Sequence, residues 1–160
     1  MIDLTSTPII ILAILGTVGV ALPVINIALK EKGSVISYGY VTLIALFASI
    51  GYVLYQLALD HVAPAALFSQ DVLVDDAFGA LFAIAMLIVA IFTTVGSFNY
   101  MKNKDNPSIY FSLILLSAIG MVLVAYSTDL VMLFIAWELM SIPTYILVGF
   151  LKKDPISNEA

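Results

Sequence analysis

The sequence predicts an all-α, polytopic membrane protein with five transmembrane helices, and three observations support this fold class. Hydrophobic residues make up 62% of the 160 residues and charged residues 11%, whereas soluble domains are about half apolar and about a quarter charged. Five apolar stretches each approach the roughly 20 residues that a helix needs to cross a bilayer. These stretches are uniformly apolar and lack the strict alternation of a membrane-spanning β-strand.

We expect one membrane domain over residues 1–160. Its helices are predicted at about residues 8–29, 36–59, 78–98, 109–126 and 130–151. The first lacks the basic n-region of a signal peptide and should remain as a helix, and Pro8 suits its first turn. The loop segment "LFSQDVLVDD" partly alternates, which indicates a short extended segment. The fifth helix follows "STD", where Thr128 or Asp129 can cap it.

Charge predicts the orientation of the chain in the membrane. Every basic residue is a lysine in the loop after an odd-numbered helix: Lys30, Lys32, Lys102, Lys104, Lys152 and Lys153. The opposite side carries aspartates and no lysine. By the positive-inside rule the N-terminus lies outside and the C-terminal end is cytoplasmic, in a multi-pass protein of the inner (cytoplasmic) membrane.

Composition also excludes several classes of function. The chain has no cysteine and one histidine, His61, so disulfides and thiolate metal sites are excluded and a histidine metal cluster is not expected. The net charge of −5 comes without a basic patch, so nucleic-acid binding has no support. We expect no cofactor and no metal in this chain.

One carboxylate interrupts the fifth apolar stretch, "DLVMLFIAWELMSIP". Glu138 is the only charged residue inside a predicted helix, and it lies about 13 Å from Asp129 at the helical rise of 1.5 Å per residue. Hydrocarbon disfavours the charged form, so this carboxyl group should stay protonated unless a cation or water approaches. A group that holds or releases a proton according to its neighbour's charge is what a proton relay requires.

Three further residues are candidates for the same site. Ser141 and Tyr145 share the side of Glu138 at helical spacings of i+3 and i+7. Pro143 removes a backbone hydrogen bond, which loosens the helix and can admit water or another polar group.

A structural interpretation of the same residues stays open. A protonated Glu138 can simply hydrogen-bond another helix and hold a bundle together. Ser141 and Tyr145 are then packing residues, since membrane interfaces favour small residues and aromatic rings pack well. On the fourth helix, Ser117 and Gly120 form a small face for close packing.

The C-terminal quarter carries a family motif. The stretch "GMVLVAYSTDLVMLFIAWELMSIPTYILVGFLKKDPISNEA" resembles the antiporter-like membrane subunits of complex I-type respiratory enzymes, which are related to Mrp-type cation/proton antiporters. The detail "ELMSIPTYILVGF" followed by "KKDPISNEA" is most similar to the N-type subunit. A weaker match is Asp76-Ala77-Phe78, which fits the family's Asp-x-Phe at the start of the third helix.

The resemblance implies a role for Glu138. It occupies the position of the family's glutamate on the fifth helix, which governs the protonation of a lysine on a broken seventh helix. Pairing in a low dielectric changes the proton affinity of both partners. Family members have about fourteen helices in inverted repeats, so we expect this chain to be the N-terminal part of a longer subunit that carries the lysine.

The implied function is proton translocation coupled to reduction of a quinone or methanophenazine. The implied partners are other membrane subunits and, through the complex, a hydrogenase-like peripheral arm, whose subunits bind the electron donor. Two alternatives remain: part of a Mrp-type sodium/proton antiporter, and a five-helix structural or assembly protein in which Glu138 only fixes packing.

Overall fold

A computed structural model describes residues 6–29, 34–59, 72–102 and 104–150. It contains five long helices: α1 (Thr7–Leu29), α2 (Val35–Ala58), α3 (Ala77–Met101), α4 (Pro107–Tyr126) and α5 (Leu130–Val148). Each is long and apolar enough to cross a membrane. The predicted all-α, multi-pass membrane fold is therefore confirmed.

Several residues that carried predictions lie outside the described residues. They are His61 and the lysines that follow α1 and α5, namely Lys30, Lys32, Lys152 and Lys153. The orientation of the chain in the membrane accordingly stays a prediction.

Aspartates begin two of the helices as N-caps. Asp76 Oδ1 accepts a hydrogen bond of 2.7 Å from the N–H of Gly79 at the start of α3. Asp129 Oδ2 accepts bonds of 3.0 and 3.3 Å from the N–H groups of Val131 and Met132 at the start of α5. The first N–H groups of a helix have no partner within it, and these carboxylates supply one. Of the two predicted caps for α5, Asp129 is the one used.

Helix α4 is the centre of the bundle. It packs against all four other helices, and most of its residues are buried. In contrast, α5 packs extensively only against α4 and buries only Ala136, Ser141 and Pro143. One side of α5 is therefore held by the bundle, and the other side is left uncovered.

A proline in α1 is compensated by a serine in α4. Pro23 lies inside α1 and has no N–H to donate to the Gly19 carbonyl, one turn earlier. Ser112 Oγ donates a hydrogen bond to that same carbonyl. In hydrocarbon no water is available to satisfy a freed carbonyl, so a neighbouring helix must do it. The α1–α4 contact thus includes a bond that the proline makes necessary.

Replacing Ser112 by alanine should lower the stability of the bundle by about 1 kcal/mol, the order of an interhelical hydrogen bond in a membrane. The loss should become smaller in a Pro23→Ala background, because the introduced alanine can donate its own N–H to the Gly19 carbonyl. Thermal unfolding of the four proteins of this double-mutant cycle checks the coupling. Equal losses in both backgrounds would show that Ser112 stabilises the bundle by packing instead.

Residues 72–76 form an extended segment that crosses the end of the bundle. Val74 N–H donates to the Tyr126 carbonyl at 3.0 Å, and Thr128 N–H donates to the Val72 carbonyl at 3.2 Å. Leu73 and Ser127 form an antiparallel bridge. The predicted extended segment is thus present where the structure describes it, and it lies against the turn between α4 and α5.

Candidate functional site on helix α5

Glu138 lies on the uncovered side of α5. It is the only charged residue within the five helices, and its side chain is exposed. Among the described residues its carboxylate has no hydrogen-bond or ion-pair partner. Tyr145, which is 71% exposed, lies on the same side, with Trp137 also exposed. Nothing in the five-helix bundle, as far as the structure describes it, therefore neutralises this carboxylate.

Ser141 and Pro143 differ from Glu138 in their exposure. Both side chains are buried, and Ser141 Oγ donates a 2.8 Å hydrogen bond to the Trp137 carbonyl of its own helix. At three residues' distance Ser141 lies about 60° around the helix from Glu138, and it is buried where Glu138 is exposed. The exposed side chains of Glu138 and Tyr145 are therefore the ones that can meet a partner outside the described bundle.

A polar seam joins α4 and α5 one turn from Glu138. The Met140 carbonyl accepts hydrogen bonds from Thr144 Oγ1 at 2.9 Å and from Ser117 Oγ at 3.2 Å. The two hydroxyl groups are themselves 3.3 Å apart. Sequence reasoning identified Ser117 as a packing residue and missed Thr144. Thr144 could have been found from the sequence, because Ser117 and Thr144 place hydroxyl groups on both helices at the level of Pro143.

Pro143 lies at the same level of α5 as the polar seam. It has no N–H for the Leu139 carbonyl, so α5 lacks one backbone bond beside Glu138. The helix nevertheless continues to Val148. Gly120 of α4 meets the backbone of this same turn, so the two helices approach backbone to backbone. Pro143 thus lies next to the turn of α5 whose backbone closely approaches Gly120 of α4.

The described residues hold no group of three or more side chains suited to a metal ion. Glu138 itself offers the chemistry of one carboxyl group, held on a supported helix and open on one side. Such a group can bind or release a proton as a charged partner approaches or withdraws.

Comparison with known proteins identifies the family. A family model described as "NADH:quinone oxidoreductase/Mrp antiporter, TM" matches residues 127–160, which include Glu138. NADH-quinone oxidoreductase subunit N 1 of Solibacter usitatus is 36% identical over 155 residues, covering 96% of this chain and 30% of the relative. The chain belongs to the antiporter-like membrane subunits of complex I-type enzymes.

Two other similar proteins are also N-type subunits by name. NADH-quinone oxidoreductase subunit N of Desulfitobacterium hafniense is 34% identical, covering 94% of this chain and 29% of the relative. F(420)H(2) dehydrogenase subunit N of Methanosarcina mazei is 36% identical over 58% of this chain and 19% of the relative. The chain spans less than a third of the length of these curated relatives.

Proposed function

We propose that the chain forms part of a proton-translocating, antiporter-like subunit of a complex I-like oxidoreductase, with Glu138 as its titrating group. Quinone or methanophenazine reduction elsewhere in the complex drives the translocation. The proposal assigns the redox cofactors and the electron donor to other subunits of the complex. The names of the relatives, NADH-quinone oxidoreductase subunit N and F(420)H(2) dehydrogenase subunit N, support this assignment.

The observation that carries the proposal is the position of Glu138 on a helix that is packed on one side only. A carboxylate that faces hydrocarbon costs several kcal/mol or stays neutral, so a membrane protein turns such a group toward protein, water or a cation. The relatives are more than three times as long as their matched segments. The rest of such a subunit is the natural cover for this side of α5.

The chemistry follows from pairing and unpairing of charges. When a cation lies beside Glu138, the carboxylate is stabilised and the cation keeps its proton. When the two separate, low dielectric favours the neutral form of each, so Glu138 takes up a proton and the cation releases one. The family resemblance assigns the cation to a lysine on a later, broken helix.

The remaining candidate residues have supporting roles. Tyr145 lies on the side of Glu138 and can hydrogen-bond the same water or partner. Ser141 bonds to the Trp137 carbonyl and Pro143 leaves the Leu139 carbonyl without its helical donor, so both shape α5 around Glu138. In the complex, other membrane subunits and a hydrogenase-like peripheral arm are the proposed partners. The proposed location is the cytoplasmic membrane, with the N-terminus outside.

Reaction of the intact complex with dicyclohexylcarbodiimide tests this function. The reagent partitions into the bilayer and takes a proton from a carboxyl group in apolar surroundings, whose oxygen then adds to the carbodiimide carbon. We expect peptide mass spectrometry to find the adduct on Glu138, and proton translocation to fall in proportion to it. Asp129 is the internal control, because it is an exposed, hydrogen-bonded cap at the end of the helix and should not react.

Two results would contradict the proposal: complete modification of Glu138 with normal proton translocation, or lost translocation with the adduct only on other residues. The same experiment examines sodium/proton exchange, which the family model's description includes through its Mrp antiporters. If Na⁺ protects Glu138 from the reagent and K⁺ does not, Glu138 binds sodium, and the antiporter function is favoured over proton pumping alone.

A further inference from the structure

Three buried polar atoms without a partner lie at the aspartate-bearing end of the bundle. They are Thr7 Oγ1, Asp75 Oδ1 and the Tyr126 hydroxyl, none of which has a hydrogen-bond partner among the described residues. The side chains of Thr7 and Tyr126 are each only 1% exposed. The one other such atom in the described part of the chain, Ser108 Oγ, lies at the start of α4, at the opposite end.

The backbone brings these three groups together. The N–H of Thr7, the first residue of α1, donates a 2.8 Å hydrogen bond to Asp75 Oδ2, so the carboxylate caps α1 from a distant part of the chain. Val74, the residue before Asp75, is hydrogen-bonded to the Tyr126 carbonyl. The Tyr126 ring lies beside the residue that follows Asp75, since a Cβ on Gly79 would meet both Tyr126 Cδ1 and Asp76 Oδ1 at 2.8 Å. Asp75 thus lies between the start of α1 and the end of α4.

The three groups have complementary hydrogen-bonding needs that one small polar molecule can meet. The second carboxylate oxygen of Asp75 can only accept, whereas each hydroxyl can both donate and accept. Buried polar groups in proteins are nearly always bonded, and those left over are usually joined by ordered water that makes about three bonds. Three orphaned polar atoms at one junction are therefore the pattern of a hydration site.

We infer that a buried water-binding site lies between Thr7, Asp75 and Tyr126. The bound water donates to Asp75 Oδ1 and exchanges hydrogen bonds with the two hydroxyl groups. It completes the cap of α1 and joins that helix to the end of α4 through the 72–76 segment. The site is separate from Glu138, which lies further along α5 on its uncovered side.

Removal of single hydroxyl groups from the full-length subunit tests the site. Tyr126→Phe and Thr7→Val keep the shape of each side chain. If the hydroxyl is bonded to buried water, its removal breaks a bond and lowers the midpoint of thermal unfolding. A hydroxyl that is buried without a partner has the opposite effect, since its removal leaves the midpoint unchanged or raises it. We expect a lower midpoint for both variants and a smaller combined loss than the sum of the two.

The control is Tyr40→Phe, because Tyr40 is exposed near the start of α2, at the opposite end of the bundle. Its midpoint should not change. An unchanged or raised midpoint for both Tyr126→Phe and Thr7→Val would overturn the inference. A higher midpoint in Na⁺ than in K⁺, which disappears in Tyr126→Phe, would also overturn it, because the occupant would then be a cation. Density for a water within hydrogen-bonding distance of all three atoms would establish the site directly.

Discussion

Glu138→Gln should reduce proton translocation by the intact enzyme by about a hundredfold or more, the lower end of what a positioned proton-transfer group contributes. Glutamine keeps the length and hydrogen-bonding shape of the side chain but cannot bind or release a proton. Because Glu138 is exposed on the described bundle and bonds to none of its residues, the substitution should leave the packing of α5 intact. Translocation in proteoliposomes, normalised to the amount of assembled complex, is the measurement.

Glu138→Ala separates this role from a structural one. If Glu138 transfers protons, both variants assemble and neither translocates normally. If the glutamine variant translocates normally and the alanine variant fails to assemble, the carboxyl group only fixes helix packing. Thr93→Val is a matched control: Thr93 is an exposed polar residue on α3 that bonds only within its own helix, and its loss should affect neither quantity.

Gly120→Ala should destabilise the bundle by about 1–3 kcal/mol, the usual cost of overpacking a close contact. A Cβ at this position would lie 2.7 Å from Met140 Cα and 2.9 Å from the carbonyl carbon of Leu139. These are backbone atoms, so no side-chain rotation relieves the overlap and α5 must move away from α4. The hydrogen bond from Ser117 to the Met140 carbonyl would lengthen with it. Thermal unfolding of the purified subunit measures the loss.

Gly96→Ala provides the matched control for that prediction. A Cβ on Gly96 meets nothing within 4 Å, and alanine is the better helix former by about 1 kcal/mol. This variant should therefore be at least as stable as the unsubstituted protein. Equal stability of the two alanine variants would show that α4 and α5 approach less closely than the structure indicates. A displaced α5 should also reduce translocation in Gly120→Ala, because α4 supports the turn that carries Glu138.

Much of the membrane architecture could be predicted from local sequence alone. A helix of about 20 apolar residues satisfies its own backbone in hydrocarbon, so each crossing can be recognised without knowing its neighbours. A helix N-cap depends only on residues next to the start of the helix, and Asp129 was predicted as a cap on that basis. Glu138 was recognisable for the same reason, since a charge within an apolar helix needs no tertiary information to be unusual.

The surroundings of the candidate site were less predictable. Helical spacing places Ser141, Tyr145 and Glu138 on related faces, but it does not say which face meets α4. In the structure Ser141 and Pro143 are buried, whereas Glu138 and Tyr145 are exposed. Uniformly apolar helices lack the polar and apolar sides that reveal the buried face of a helix in a soluble protein. Thr144 was missed for the same reason.

Hydropathy and charge act residue by residue, so they were enough to predict five membrane-crossing helices with one carboxylate among them. Which helix is central and which side of α5 stays open depends on contacts between helices. The tertiary structure also showed that Ser112 satisfies the carbonyl freed by Pro23, and that Asp75 caps a helix begun far earlier in the chain. Those contacts join distant residues, and the free energy that selects them comes from close packing and from backbone groups that hydrocarbon leaves without any other partner.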